Sequence, residues 1–180
     1  MLRSPASLAI AALSALAFLT QSTYAQSSNI TLLKPPMLKP FVHIDLKVED
    51  STYVNETNGI MTGQANNQGG NFTGAIMGKI IKLGTEFETF PIAAPPMTES
   101  TYVNTFALNT TDGVAMLLKV DGNIHYNLPH LHGFARMSFS TDSPKYQYLA
   151  FGDYVGEFEA TYPSGKVSVD VFELQTSGHY

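Results

Sequence analysis

Apolar and polar residues alternate with period two over most of the chain, which predicts β-strands. In "FVHIDLKV", residues 41 to 48, Val42, Ile44, Leu46 and Val48 alternate with Phe41, His43, Asp45 and Lys47, as in a half-buried strand. In "GNFTGAIMGKI", 70 to 80, one face carries Gly70, Phe72, Gly74, Ile76, Gly78 and Ile80, and the other carries Asn71, Thr73, Ala75, Met77 and Lys79. Asn71 opens an Asn-Phe-Thr sequon, so the glycine-bearing face is the expected interior. "YVNTFALNT", 102 to 110, places Phe106 and Leu108 inward, and Asn104 with them. "VAMLLKV", 114 to 120, places Val114, Met116, Leu118 and Val120 on one face.

Turn signals separate these runs. Asp112-Gly113 predicts a hairpin, Asp121-Gly122 the turn after it, and Ser164-Gly165 the turn between a strand near 150 to 162 and a last one near 166 to 174. "NNQGGN", 66 to 71, is an expected loop, and "SPKYQYL", 143 to 149, an expected short helix with Ser143 as N-cap and Pro144 at its first position. About eight to ten short strands at regular spacing make an all-β antiparallel barrel or sandwich. The inward glycines favour the barrel, because alternating small and large residues fill a small closed interior and glycine permits the bends that closure requires.

The ends add a compartment. Arg3 precedes an apolar run from Leu8 to Leu19, and small residues allow cleavage after Ala25, so residues 1–25 are expected to be a signal peptide. Residues 26–39 form a proline-rich lead-in, 40–174 a single barrel domain and 175–180 a tail. Sequons at Asn29, Asn55, Asn71 and Asn109 agree with a secreted, extracellular eukaryotic glycoprotein. The chain has no cysteine, which excludes disulfides, thiol catalysis and structural Cys-zinc sites. A net charge of -5 with no basic run argues against nucleic acid and anionic membranes as partners. Association into a homo-oligomer stays open.

Three blocks, "GGNFTGAIMGKIIKLG" (69 to 84), "ALNTTDGVAMLLKVDG" (107 to 122) and "ARMSFSTDSPKYQYLAFGDYVG" (135 to 156), together resemble a bacterial and fungal family catalogued as domain of unknown function 3237. The resemblance spans residues 40 to 174 and implies a compact barrel similar to the calycin and allene-oxide-cyclase barrels. It implies no assigned activity. Asp112, Gly113, Arg136 and Tyr148 fit the family pattern best. Two places depart from it. Where the family often has aspartate and tryptophan, this chain reads "GTEFETF", with Thr85 and Glu86. Where the family often has arginine and tyrosine, Thr105 and Phe106 stand.

The candidate chemistry is sparse. "HLHG" sets His130 and His132 two apart, with His125 before them, but Arg136 occupies the place where a cupin-like metal site wants glutamate, and Pro129 suits a loop at the barrel mouth. No metal and no cofactor are expected. Arg136, if it faces inward with Phe134 and Ser138, would stabilise developing negative charge; otherwise it pairs with Glu157 or Asp153. Asp153, Glu157 and Glu159 share a face, more simply a solvated one, and so do His43 and Asp45. No Gly-x-Ser-x-Gly elbow, phosphate loop or dinucleotide fingerprint occurs.

Three readings follow. In the first, the lumen binds a small apolar or aromatic molecule, lined by Phe72, Ile76, Phe106 and Met116, with Asn104 and Arg136 as polar anchors. In the second, the same barrel is a cofactor-independent isomerase, cyclase or lyase of secondary metabolism, with Arg136 on an oxyanion and Tyr148, His132 or Glu157 moving a proton. In the third, it is a structural glycoprotein whose barrel is filled by its own side chains.

Overall fold

The computed structural model describes residues 35–56, 58–91 and 98–176. The expected signal peptide, most of the lead-in, Asn29 and the last four residues lie outside them. Ten strands run in chain order: β1 Met37–Val48, β2 Thr52–Asn55, β3 Ile60–Gly74, β4 Gly78–Ile80, β5 Thr85–Pro91, β6 Glu99–Thr110, β7 Ala115–Asn127, β8 His130–Ser140, β9 Tyr154–Thr161 and β10 Lys166–Gln175. One 3-10 turn, Gln147–Phe151, lies between β8 and β9.

Every pairing is antiparallel, and the sheet closes on itself. β3 leads through β4 and β5 to β6, then β7, β8, β9 and β10, and β1 bonds to both β10 and β3. β4 and β5 occupy one strand position: both lie between β3 and β6, β4 near one end and β5 near the other. β2 continues the path of β1 along β3. The result is a closed eight-position barrel, so the all-β barrel expected from the sequence is the fold.

The alternation places the core as expected. Val42, Ile44 and Leu46 face inward from β1, Asn104, Phe106 and Leu108 from β6, and Met116, Leu118 and Val120 from β7. Phe41 is buried beside Val42 because the β1 register shifts between Pro40 and Val42. Gly113 and Gly165, both at positive φ, sit in the turns expected at those places.

Four local expectations change. Residues 70 to 80 are not one strand. The chain turns at 75–77, and Phe72 pairs with Gly78 and Gly70 with Ile80; residues of one parity therefore keep facing one side, which is why the alternation looks continuous. Residues 66–71 are not a loop but the middle of β3, held by β1 on one side and β4 and β5 on the other. Asp121-Gly122 is no turn. It lies within β7 opposite Arg136 and Ala135, where a Cβ on Gly122 would come 2.4 Å from the Phe134 carbonyl oxygen. The expected helix is the 3-10 turn starting at Gln147; Ser143 contributes its carbonyl to the Tyr146 N–H and makes no side-chain cap.

The inward glycines also act differently from expectation. A Cβ on Gly70 would lie 2.1 Å from the Asp45 carbonyl oxygen, and one on Gly78 would lie 2.2 Å from the Asn109 oxygen and 2.7 Å from the Phe72 ring. They admit close backbone approach and do not open the lumen.

The two ends of the barrel differ. One is plugged by Phe41, Phe139 and Tyr154, whose ring centroids lie 4.9 to 5.8 Å apart, with Leu149 of the 3-10 turn buried among the core residues. Burial pushes the Tyr154 phenol up to about 12, and its oxygen is the one buried side-chain polar atom among the described residues without a partner. Two stability outcomes follow. Leu118→Ala, at a side chain 0% exposed, should lower unfolding free energy by about 2–5 kcal/mol in a urea titration. Tyr154→Phe should raise it by about 1 kcal/mol, because it removes an unsatisfied hydroxyl and keeps the ring.

Candidate functional site

The opposite end of the barrel holds a partly open cavity of about 110 Å³. Its wall is mostly apolar, with Ile44, Leu46, Phe106, Leu118, Ile124 and Phe158 among the lining residues. Tyr53, Tyr126 and Tyr162 also line it, as do Glu86 and Glu88. These two glutamates lie two apart on β5, so both project to the same face, about 7 Å apart along the strand. The opposite face of β5 carries Thr85, Phe87 and Thr89, with Phe87 exposed. Orienting the acids inward therefore leaves an aromatic residue in solvent.

The surrounding residues explain how the strand bears this. Glu88 is 3% exposed and accepts hydrogen bonds from Ser100 Oγ at 2.5 Å and from the Tyr126 hydroxyl. Burial raises its pKa, while the hydroxyls of Ser100, Tyr126 and Tyr53 oppose that rise. Glu86 accepts from Asn104 Nδ2 at 3.3 Å. Burial, and then the neighbouring charge of Glu88, push its carboxyl up to about 7, with the Asn104 bond acting the other way. Tyr102 stands beside the pair, 7% exposed, its phenol held above the usual range first by burial and then by the charge of Glu86.

Asn104 takes part in a second arrangement. Where β4 and β5 part, β3 and β6 are bridged by a reciprocal amide pair: Asn67 Nδ2 donates to Asn104 Oδ1 at 3.0 Å, and Asn104 Nδ2 to Asn67 Oδ1 at 3.1 Å. Asn67 also reaches the carbonyls of Leu83 and Thr105. Gly84 makes room at positive φ, since a Cβ there would lie 2.2 Å from the Thr105 carbonyl oxygen. The amide pair closes the gap in the wall and fixes the side chain that bonds Glu86.

The other candidates distribute as follows. Phe106 lines the cavity, and Asn104 is buried next to it. Phe72, Ile76 and Met116 are buried in the packed core and do not line it. Of the two expectations for Arg136, the ion pair is the one found: its side chain is 82% exposed and lies 3.7 Å from Asp153 on the outer surface, so no guanidinium enters the lumen. β8 turns Ala135, Met137 and Phe139 inward, the consistently apolar set, and this sends Phe134, Arg136 and Ser138 out. His132 pairs with Glu157 at 2.9 Å, also outside, and Tyr148 is exposed on the 3-10 turn. The expected catalytic group thus has no member in the lumen.

His130 and His132 lie on β8, just after the turn, not in a loop. Among the described residues, no three His, Asp or Glu side chains converge as a metal site requires. Asn55, Asn71 and Asn109 face outward and are exposed.

The sequence reading missed Glu86, Glu88, Tyr102 and Tyr126. The available signal was "TEFETF", two acids in alternation. Neither of its faces is uniformly apolar, so periodicity alone does not orient it.

No protein-family model and no curated protein matches the chain. Solved structures do. The barrel is similar to a conserved protein of unknown function from Rhodopseudomonas palustris, with 19% identity and a TM-score of 0.69 over 78% of this chain and 99% of that one. It is similar to a β-barrel-like protein from Acinetobacter baumannii, with 19% identity and a TM-score of 0.68 over 79% and 98% of the two chains. A structure described as an enzyme from Penicillium herquei matches with 18% identity and a TM-score of 0.57 over 79% and 96%. At these identities the likeness establishes the fold.

The raised carboxyl of Glu86 makes stability pH-dependent. The unfolded chain releases this proton near the ordinary value of 4.5, and the folded chain holds it to about 7. Between those values the unfolded state binds fewer protons, so stability falls as pH rises. Urea unfolding at pH 4.5 and pH 7.5 should show this loss, and Glu86→Gln should shrink it.

Proposed function

We propose that the protein is a secreted, glycosylated barrel that takes a small, mostly apolar molecule into its lumen. One observation carries the binding claim: a partly open apolar cavity with two hydrogen-bonded glutamates at one place in its wall. A few convergent polar groups in an apolar pocket are what orient a small ligand. The apolar amino-terminal run supports secretion, and the outward, exposed Asn55, Asn71 and Asn109 support glycosylation. The cavity also weighs against a barrel filled by its own side chains.

A second reading has its own support. A carboxyl held near 7 in an apolar site is placed to give or take a proton at neutral pH. The same barrel acting as a cofactor-independent isomerase, cyclase or lyase would use Glu86 as the acid–base group, with Glu88 and its hydroxyl partners tuning it. The similar Penicillium herquei protein is an enzyme, which favours the same direction. Arg136, Tyr148, His132 and Glu157 stand outside the barrel, apart from that cavity.

Native mass spectrometry of the protein from its own host, after deglycosylation, tests the binding claim. A retained organic mass is expected; a bare chain mass from every preparation would contradict it. With the retained molecule as substrate, Glu86→Gln should lower turnover at saturating substrate by about 10²–10⁴-fold, beyond any loss of affinity, whereas Arg136→Ala should leave turnover and binding unchanged. Equal turnover in wild type and Glu86→Gln would remove the acid–base reading and leave binding alone.

A further inference from the structure

We propose that the lumen's ligand is a small organic cation, a protonated amine on an apolar body, seated with its ammonium group against Glu86 and Glu88. This rests on the reading of the lumen as a binding site and names the chemical class that the site selects.

Charge in the lining points one way. Glu49 and Asp50 line the cavity together with Glu86 and Glu88, and no lysine, arginine or histidine does so among the described residues. The described ion pairs join other groups: Lys39 to Glu173, Lys145 to Asp112, Arg136 to Asp153, and histidines 43, 125 and 132 to their own acids. None involves Glu86 or Glu88. An anionic ligand would meet a wall with four acids and no basic group among the described residues, whereas a cation supplies the countercharge that the wall lacks.

Tyr102 is an independent sign. Its side chain is 7% exposed and lines the cavity, and among the described residues its hydroxyl has no hydrogen-bond partner. A hydroxyl without a partner that stands open to a cavity, unlike the sealed one of Tyr154, is a place for a ligand atom. An ammonium has three N–H donors and no acceptor. Two of them match the carboxylates, which only accept when ionised, and the third matches the Tyr102 oxygen.

The rest of the wall suits the body of such a molecule. Phe106, Phe158 and Tyr53 contribute aromatic surface, and Tyr102 meets Phe158 edge to face at 5.4 Å. Aromatic faces attract organic cations as well as burying apolar carbon. The cavity, about 110 Å³, is smaller than the roughly 150 Å³ that accommodates a benzene ring in a dry protein cavity. The enclosed part of the ligand is therefore about the size of a small ring or branched chain.

A pH dependence follows from the same geometry. The titratable groups around Glu86 are Glu88 on its own strand, Tyr102 on β6, Tyr126 on β7, Tyr53 on β2, and Glu49 and Asp50 between β1 and β2. The tyrosines stay protonated through neutral pH, their phenols being raised. A cation favours ionised Glu86, so binding expels a proton wherever the free site is protonated, and affinity rises with pH up to about 7 and then levels.

The test is isothermal titration of the full chain with isobutylamine, cyclopentylamine and benzylamine, each beside its alcohol isostere, at pH 5.5 and pH 8. At pH 8 at least one amine should bind about tenfold or more tightly than its alcohol, and that preference should shrink at pH 5.5. Glu86→Gln should reduce the preference of amine over alcohol. Since this substitution touches a buried network, the wild-type pH dependence is the second readout. Alcohols binding as tightly as the amines at pH 8 would overturn the cation assignment and leave the lumen as a binding site. Binding of no probe at either pH would overturn both.

Discussion

β1 hydrogen-bonds to β10 along one edge and to β3 along the other, and this double pairing determines what the other residues experience. It leaves the main sheet without a free edge and separates the interior from water. Inside that boundary each polar group needs a partner within the protein, or a ligand. The wall is interrupted where β4 and β5 part, and the Asn67–Asn104 amide pair spans that place. Closure thus creates both the apolar lumen and the polar seam from which Glu86 is held.

The two surfaces of the sheet treat charge differently. On the outside, pairs such as Arg136 with Asp153 and His132 with Glu157 sit in solvent, where they contribute little to stability. On the inside, Glu86 and Glu88 have hydroxyl and amide donors but no described cation. Burial raises both carboxyls; Glu88 is opposed in this by the hydroxyls of Ser100 and Tyr126, and Glu86 by the Asn104 amide. That difference in partners distinguishes two residues of one type two positions apart.

Much of this was legible in the chain and some was not. The faces of 41–48 and 114–120 were readable because each has one consistently apolar side, that of 102–110 because the Asn109 sequon marks its outer face, and the turns at Asp112-Gly113 and Ser164-Gly165 because they combine a short polar residue with a glycine at positive φ. "NNQGGN" looked like a loop because its stabilisation is supplied by distant strands: Asn67 is satisfied by Asn104, 37 positions away. Arg136 was ambiguous because its strand has apolar residues on both faces, and only packing decided in favour of Ala135, Met137 and Phe139. Glu86 and Glu88 were hidden for the converse reason. They lie inward against the usual preference of charge for water, and that conflict between local preference and placement is typical of functional positions.

The most direct measurement is a crystal structure of the protein purified from its own host without unfolding, with the lumen inspected for bound density. The expected result is an organic molecule within hydrogen-bond distance of Glu86 and Glu88, its apolar part against Phe106 and Phe158. Density on the outer face around Arg136 and His132, with the lumen holding only water, would contradict it.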